Sequence, residues 1–144
     1  MRFELDDEPE VDFLLIGICS KVKDYTMCWE LNRTLGFDLQ RERTTPEVAQ
    51  SRNNPNSQHH WYYYYDENTH SAYNLLNNKG KGGMILPEQS QVDFLLVVKN
   101  NLNVNLTELI NRIRNIEVVL TAFEIDAEAQ RSIENLIYLD LEKD

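Results

Sequence analysis

The stretch Leu86-Pro87-Glu88-Gln89-Ser90-Gln91-Val92-Asp93-Phe94 runs into Leu95-Leu96-Val97-Val98, joining a turn-forming Pro-Glu to the most strand-like run in the second half of the chain. Its last part, Val92-Asp93-Phe94-Leu95-Leu96, repeats letter for letter as Val11-Asp12-Phe13-Leu14-Leu15. Both copies are short and nearly continuously apolar, which is how a strand buried on both faces reads. After the first copy, Asp24 is a candidate helix N-cap. Tyr25, Met27, Cys28, Leu31 and Leu35 then recur at helical spacing, with Trp29 at the margin of the stripe, and Gly36 supplies a stop. Phe37 to Arg43 alternates as a one-sided strand. After the second copy, Asn105 and Glu108 have capping-box spacing. Leu106, Leu109, Ile110, Ile113 and Ile116 form the cleanest amphipathic stripe, with Glu108 and Arg112 paired on the wet side, and residues 117–125 read as a strand.

Two strand-helix-strand units with both helices on one face predict a ferredoxin-like α+β two-layer sandwich, built from two βαβ units with an inserted β-hairpin. In this layout 1–144 is a single domain. Residues 11–43 are the first unit, 44–85 a loop plus the inserted hairpin, 86–125 the second unit, and 126–144 a C-terminal strand and tail. Residues 1–10 read as a solvated lead-in. Residues 44–58 are polar, carry Pro46 and Pro55, and read as a long mobile loop; Lys79-Gly80-Lys81-Gly82-Gly83 reads as a second. His59 to Tyr65 and Ser71 to Asn77 are the hairpin arms. Near the end, Leu136-Ile137-Tyr138-Leu139 reads as a strand, with the spacing of Ile133, Leu136 and Ile137 offering a helix as the alternative. One consequence bears on function. In each copy of the repeat apolar residues point both ways, and helices cover only one face, so the aromatic hairpin, the C-terminal strand or another molecule has to cover the other.

The bulk composition narrows the function. Fourteen Lys+Arg against 24 Asp+Glu give a net charge of −10, which repels phosphate backbones and anionic membranes and argues against nucleic acid as a partner. No apolar run approaches the ~18 residues a membrane helix needs. The acidic start Met1-Arg2-Phe3-Glu4-Leu5-Asp6-Asp7 is unlike a signal peptide. Cys19 and Cys28, in a strand and the helix after it, read as buried thiols in a reducing, cytoplasmic setting.

Through Leu86-Pro87-Glu88 and Val92-Asp93-Phe94 the chain resembles the bacterial IPExxxVDY family, small proteins bearing that motif. Leu86 stands where the motif has Ile and Phe94 where it has Tyr, while Pro87, Glu88, Val92 and Asp93 match. Leu15-Ile16-Gly17-Ile18, Asp24-Tyr25 and Leu31-Asn32 extend the likeness toward the N-terminus. The resemblance implies a cytoplasmic bacterial protein and transfers no catalytic residue.

No residue set makes an enzyme, and no cofactor or metal is expected. Glu88 and Asp93 suit turn amides better than acid-base chemistry. His59 and His60 point to opposite faces of a strand and cannot chelate together with His70. Ser20, Ser71 and Ser90 have no histidine or acid placed to activate them. The Gly-rich stretch 79–83 lacks phosphate-loop spacing. Trp61-Tyr62-Tyr63-Tyr64-Tyr65 puts aromatics on both faces of one strand, suiting core packing on one side and a protein partner on the other. The expectation is a non-catalytic protein-binding or self-associating module, with Trp61, Tyr63, Tyr65, Glu88 and Asp93 as the candidate partner-binding residues. A small-ligand regulatory domain of ACT-like type and an RNA-contacting module are the alternatives.

Overall fold

The computed structural model describes residues 11–51, 53–137, 139 and 141. The expected lead-in at 1–10 and the far end of the C-terminal tail lie outside these residues. The chain opens with β1 (Phe13–Ser20) and α1 (Asp24–Leu35), then passes through three short strands, β2 (Gln40–Arg41), β3 (Glu47–Val48) and β4 (Ser57–Gln58). The hairpin β5 (Trp61–Asp66) and β6 (Ser71–Asn77) follows, with the small pair β7 (Lys79–Gly80) and β8 (Gly83–Met84). After a 3₁₀ turn at Pro87–Gln89 come β9 (Phe94–Lys99), α2 (Leu106–Arg114), β10 (Val119–Glu124) and a single helical turn, α3 (Glu134–Ile137).

Six strands form one sheet in the order β10-β1-β9-β6-β5-β2, with every neighbouring pair antiparallel. This overturns the ferredoxin-like expectation. There, the first strands of the two units would lie side by side and parallel; here β1 and β9 are adjacent but antiparallel, Leu15 opposite Val97 and Ile18 opposite Phe94. Nor does the strand after α1 return beside β1. It reaches the far edge, where Gln40 and Arg41 pair with Tyr63 and Tyr62. Only β9-α2-β10 forms a βαβ unit, split by β1 running between its two strands.

The repeated pentamer is not a structural repeat. Phe13 and Leu15 face one side of the sheet, while Phe94 and Leu96 face the other. A strand apolar on both faces has no alternation to fix which side is which, so identical letters fit either orientation. The face bearing Ile16, Ile18, Phe94 and Leu96 is covered by α1 and α2, through Met27, Leu31, Leu109 and Ile113. The opposite face, bearing Leu15, Leu76, Leu95 and Val97, is covered by the chain itself, through Val48, Ile85, Leu86, Val92, Leu136, Leu139 and Leu141. Removing a fully buried Leu from either layer costs about 2–5 kcal/mol.

Local departures have local causes. The expected strand over 37–43 shrinks to two residues because Asn32 claims the backbone before it: Leu39 N donates to Asn32 Oδ1 (2.8 Å) and Asn32 Nδ2 donates to the Leu39 carbonyl (3.1 Å). Asp24 is the first helical residue and Lys23 the N-cap, because the Asp24 carboxylate is taken by Tyr62 and His60. Asp24 therefore occupies the buried stripe of α1, and Tyr25 lies outside it, 65% exposed. Gly36 ends the helix in the left-handed region (φ 71°), as its position suggests.

In α2 the Asn105 side chain accepts from Glu108 N (3.0 Å), closing half of the expected box. Arg112 does not pair with Glu108; it donates to the Thr34 carbonyl, one of the free carbonyls at the end of α1. The expected loop at 44–58 contains two short strands with Val48 and Ser57 buried, and the one at 79–83 is a tight antiparallel pair. The expected strand at 136–139 is instead the end of α3 and the turn after it; Tyr138 lies outside the described residues.

Candidate functional site

Because both sheet faces are covered internally, the expected open face is absent from the described residues, and the exposed aromatics lie elsewhere. Tyr25 and Trp29 are one helical turn apart on the outer side of α1, 65% and 59% exposed. Arg33, one turn further, sets its guanidinium 5.2 Å from the Trp29 ring centre and pairs with Glu30 at 2.7 Å. Two solvent-facing rings and a cation at i, i+4, i+8 form a stripe that runs the length of the helix.

Beside the start of that stripe is a polar cluster. Asp24 Oδ2 accepts from the Tyr62 hydroxyl (2.7 Å) and lies 2.7 Å from His60 Nδ1. Burial by itself raises the Asp24 pKa, but these two hydrogen bonds and the His60 charge outweigh it and hold the carboxyl below its ordinary value. Burial and the same Asp24 push the Tyr62 phenol well up, so it stays a donor. Arg41 stacks 5.9 Å from the Tyr62 ring centre, and His60 remains half-exposed. Residues 21–43 carry five Lys/Arg against four Asp/Glu, while the rest of the chain carries nine against twenty. The α1 region is thus the least acidic part of a strongly acidic protein.

The five residues expected to contact a partner are dispersed. Trp61 is 3% exposed; its Nε1 donates to Asn74 Oδ1 (2.9 Å), and its ring meets Tyr63 edge-on at 6.0 Å. Tyr63 is half-buried, and Tyr65, 42% exposed, lies at the sheet end with its hydroxyl 3.3 Å from His70 Nδ1. Tyr62 and Tyr64 point to the helix side. The aromatic run therefore splits between the two cores and offers no row of rings to solvent.

Glu88 and Asp93 have anchoring contacts. Glu88 Oε2 accepts from Ser132 N (2.7 Å), tying the turn after Leu86 to the C-terminal segment. Burial raises the Glu88 pKa, but the Ser132 hydrogen bond prevails and leaves it below the ordinary value. Asp93 accepts from Ser20 N (2.8 Å) and pairs with Lys79 (3.1 Å), holding the end of β1 to the start of β9. Between them Asn78 organises the whole stretch. Its Nδ2 donates to the carbonyls of Gln89 (3.0 Å) and Val92 (2.9 Å), and its Oδ1 accepts from Leu86 N (2.8 Å).

One arrangement escaped the sequence reading. Ser57 Oγ lies 2.7 Å from His59 Nε2, and His59 Nδ1 lies 2.7 Å from the Asn77 carbonyl. The carbonyl requires the Nδ1–H tautomer, so Nε2 accepts from the serine, the polarity of an activated nucleophile. Yet both residues are fully buried, and Gly80 packs so tightly that a Cβ there would stand 2.5 Å from His59 Nδ1. Burial also lowers the His59 pKa, keeping the ring neutral. The pair fastens β4 to the end of β6. The Ser-x-His spacing, which puts both on one face of an extended segment, was the available signal.

Among the described residues no group of three or more His, Cys, Asp or Glu is placed to hold a metal ion, and no helix is long and apolar enough to cross a membrane. No protein-family model, curated protein or solved structure matches the chain.

Proposed function

We propose that the protein is a non-catalytic binding module that receives an acidic peptide segment of a partner protein along the outer face of α1. The observation that carries this reading is the stripe Tyr25-Trp29-Arg33, two large rings left in water beside a guanidinium on a protein whose other large side chains are mostly packed. Tyr, Trp and Arg are the residue types that dominate interface energetics. The local excess of cations favours an acidic partner, with Arg41 and His60 at the margin of the patch. In this reading Trp29 is the anchor, Tyr25 extends the apolar contact, and Asp24 fixes His60 and Tyr62 underneath.

The free, buried Cys19 and Cys28 support a reducing compartment, hence the cytoplasm. The likeness to the IPExxxVDY family remains part of the same proposal, with its motif residues serving as fasteners rather than contacts. The ACT-like alternative rested on the ferredoxin-like sheet and goes with it.

The test is selection from a displayed peptide library, with wild-type protein and with Tyr25→Ala/Trp29→Ala. Enriched peptides should combine Asp or Glu with one apolar anchor, bind more weakly as salt rises, and lose at least about tenfold in affinity to the double variant. Enriched peptides that bind the double variant unchanged would overturn the reading, as would a library yielding none.

A further inference from the structure

On the sheet face away from the helices, alternate residues of each strand share a side, so Tyr63 and Tyr65 stand together on β5 and Lys99 ends the row begun by Leu95 and Val97. The register aligns four strands at the sheet end: Phe13 faces Lys99, Lys99 faces Ala72, and Ala72 faces Tyr65. Lys99 and Tyr65 are therefore two strand spacings apart, about 10 Å, with only a methyl group between them. The notch opens into a cleft of about 310 Å³, closed at its inner end by Leu141 and bordered by Asp12 and Asn100. That volume suits a ligand of about a dozen heavy atoms.

The polar groups around the cleft are set apart from one another. Among the described residues neither the Lys99 ammonium nor the Asp12 carboxylate makes an ion pair or hydrogen bond, although they lie at the ends of adjacent strands. A cation and an anion lining one small cleft, and too far apart to neutralise each other, match a ligand carrying both charges. The tyrosine rings and the Ala72 floor match a flat apolar group. Asn100 holds the corner: its backbone is left-handed (φ 58°) and its carbonyl accepts from Ser71 Oγ (2.8 Å).

We propose that this cleft binds a small aromatic amino acid as the zwitterion, its ring over Ala72 against Tyr63 and Tyr65, its carboxylate on Lys99 and its ammonium toward Asp12. The site is on the opposite side of the sheet from α1 and does not depend on the peptide surface. The probes are L-phenylalanine, 3-phenylpropionate and 2-phenylethylamine, titrated by calorimetry and by NMR of the Ala72 methyl and Lys99 amide. L-Phenylalanine should saturate with a Kd on the order of 1 mM. Each single-charge analogue should bind about tenfold more weakly.

Lys99→Met should remove the preference for L-phenylalanine over 2-phenylethylamine, and Ala72→Leu, which fills the notch, should abolish binding of all three. Unchanged far-UV circular dichroism establishes that each variant is folded. If L-phenylalanine shifts neither resonance at 20 mM (about twenty times the expected Kd), the proposal is overturned. It is equally overturned if folded Lys99→Met binds L-phenylalanine as wild type does.

Discussion

Asn78 is the place to test whether the stretch from Leu86 to Phe94 is held by one buried side chain. Asn78→Leu keeps nearly the same volume but deletes every hydrogen bond of the amide. Three good bonds disappear, to the Gln89 and Val92 carbonyls and from Leu86 N. Their consequences differ. The Gln89 carbonyl keeps a donor in Val92 N (3.0 Å), whereas Leu86 N and the Val92 carbonyl have no other partner among the described residues. Leu86, Val92 and Asn78 are all fully buried, so water cannot substitute.

Two orphaned backbone groups at about 1–3 kcal/mol each predict a loss of about 2–6 kcal/mol. A domain of this size has roughly 5–15 kcal/mol in total, so the variant should be severely weakened. Equilibrium urea unfolding is the assay: the midpoint should fall while the slope holds. Asn77→Ala is the internal control, because its buried Oδ1 has no partner, and its replacement should move stability by less than about 0.5 kcal/mol. A loss under about 1 kcal/mol for Asn78→Leu, or an Asn77→Ala loss as large, would refute the reasoning.

Further outcomes follow from the same geometry. Asp24→Asn should destabilise at pH 7. Because the folded carboxyl titrates below the unfolded value of about 3.9, the gap from wild type should close as pH falls from about 4 toward 2, read by unfolding at stepped pH. Tyr62→Phe should cost about 1–3 kcal/mol at neutral pH, since it removes the hydroxyl donated to that carboxylate. Glu88→Gln should loosen the C-terminal segment above about pH 4.3 and have little further effect in acid, seen as faster amide exchange at Ser132 and Leu136. Burial raises the Cys19 thiol pKa and pushes Cys28 up to about 11, so neither should react with a thiol reagent at pH 7 until the protein unfolds.

The sequence showed its elements more clearly than their arrangement. The periodicity of Leu109, Ile110, Ile113 and Ile116, the Asn105 cap, the Gly36 stop and the 59–77 hairpin were all readable, because each is encoded within a few residues. Pairing was not readable, since Phe13 and Phe94 sit in identical pentamers whose apolar character carries no sense of direction or face. The two short polar loops hid structure because their bonds are made by distant side chains, Gln50 to Ser57 and His59 to the Asn77 carbonyl among them.

On the site, the aromatic run drew attention to β5, whereas the exposed rings belong to α1. Tyr25 was assigned to the packed stripe because Asp24, a charged residue, takes the buried position. A carboxylate stabilised inside by Tyr62 and His60 breaks the usual rule, and neither partner is near it in sequence.

The position of β1 between β9 and β10 has a consequence for biosynthesis. Ile16 leaves the ribosome early and must wait for Leu96 on one side and Glu124 on the other before its backbone is paired. At ordinary translation rates that delay is on the order of ten seconds. Throughout it the nascent chain exposes a ribbon that is greasy on both surfaces, the form of substrate that holdase chaperones retain and that aggregates when they are scarce.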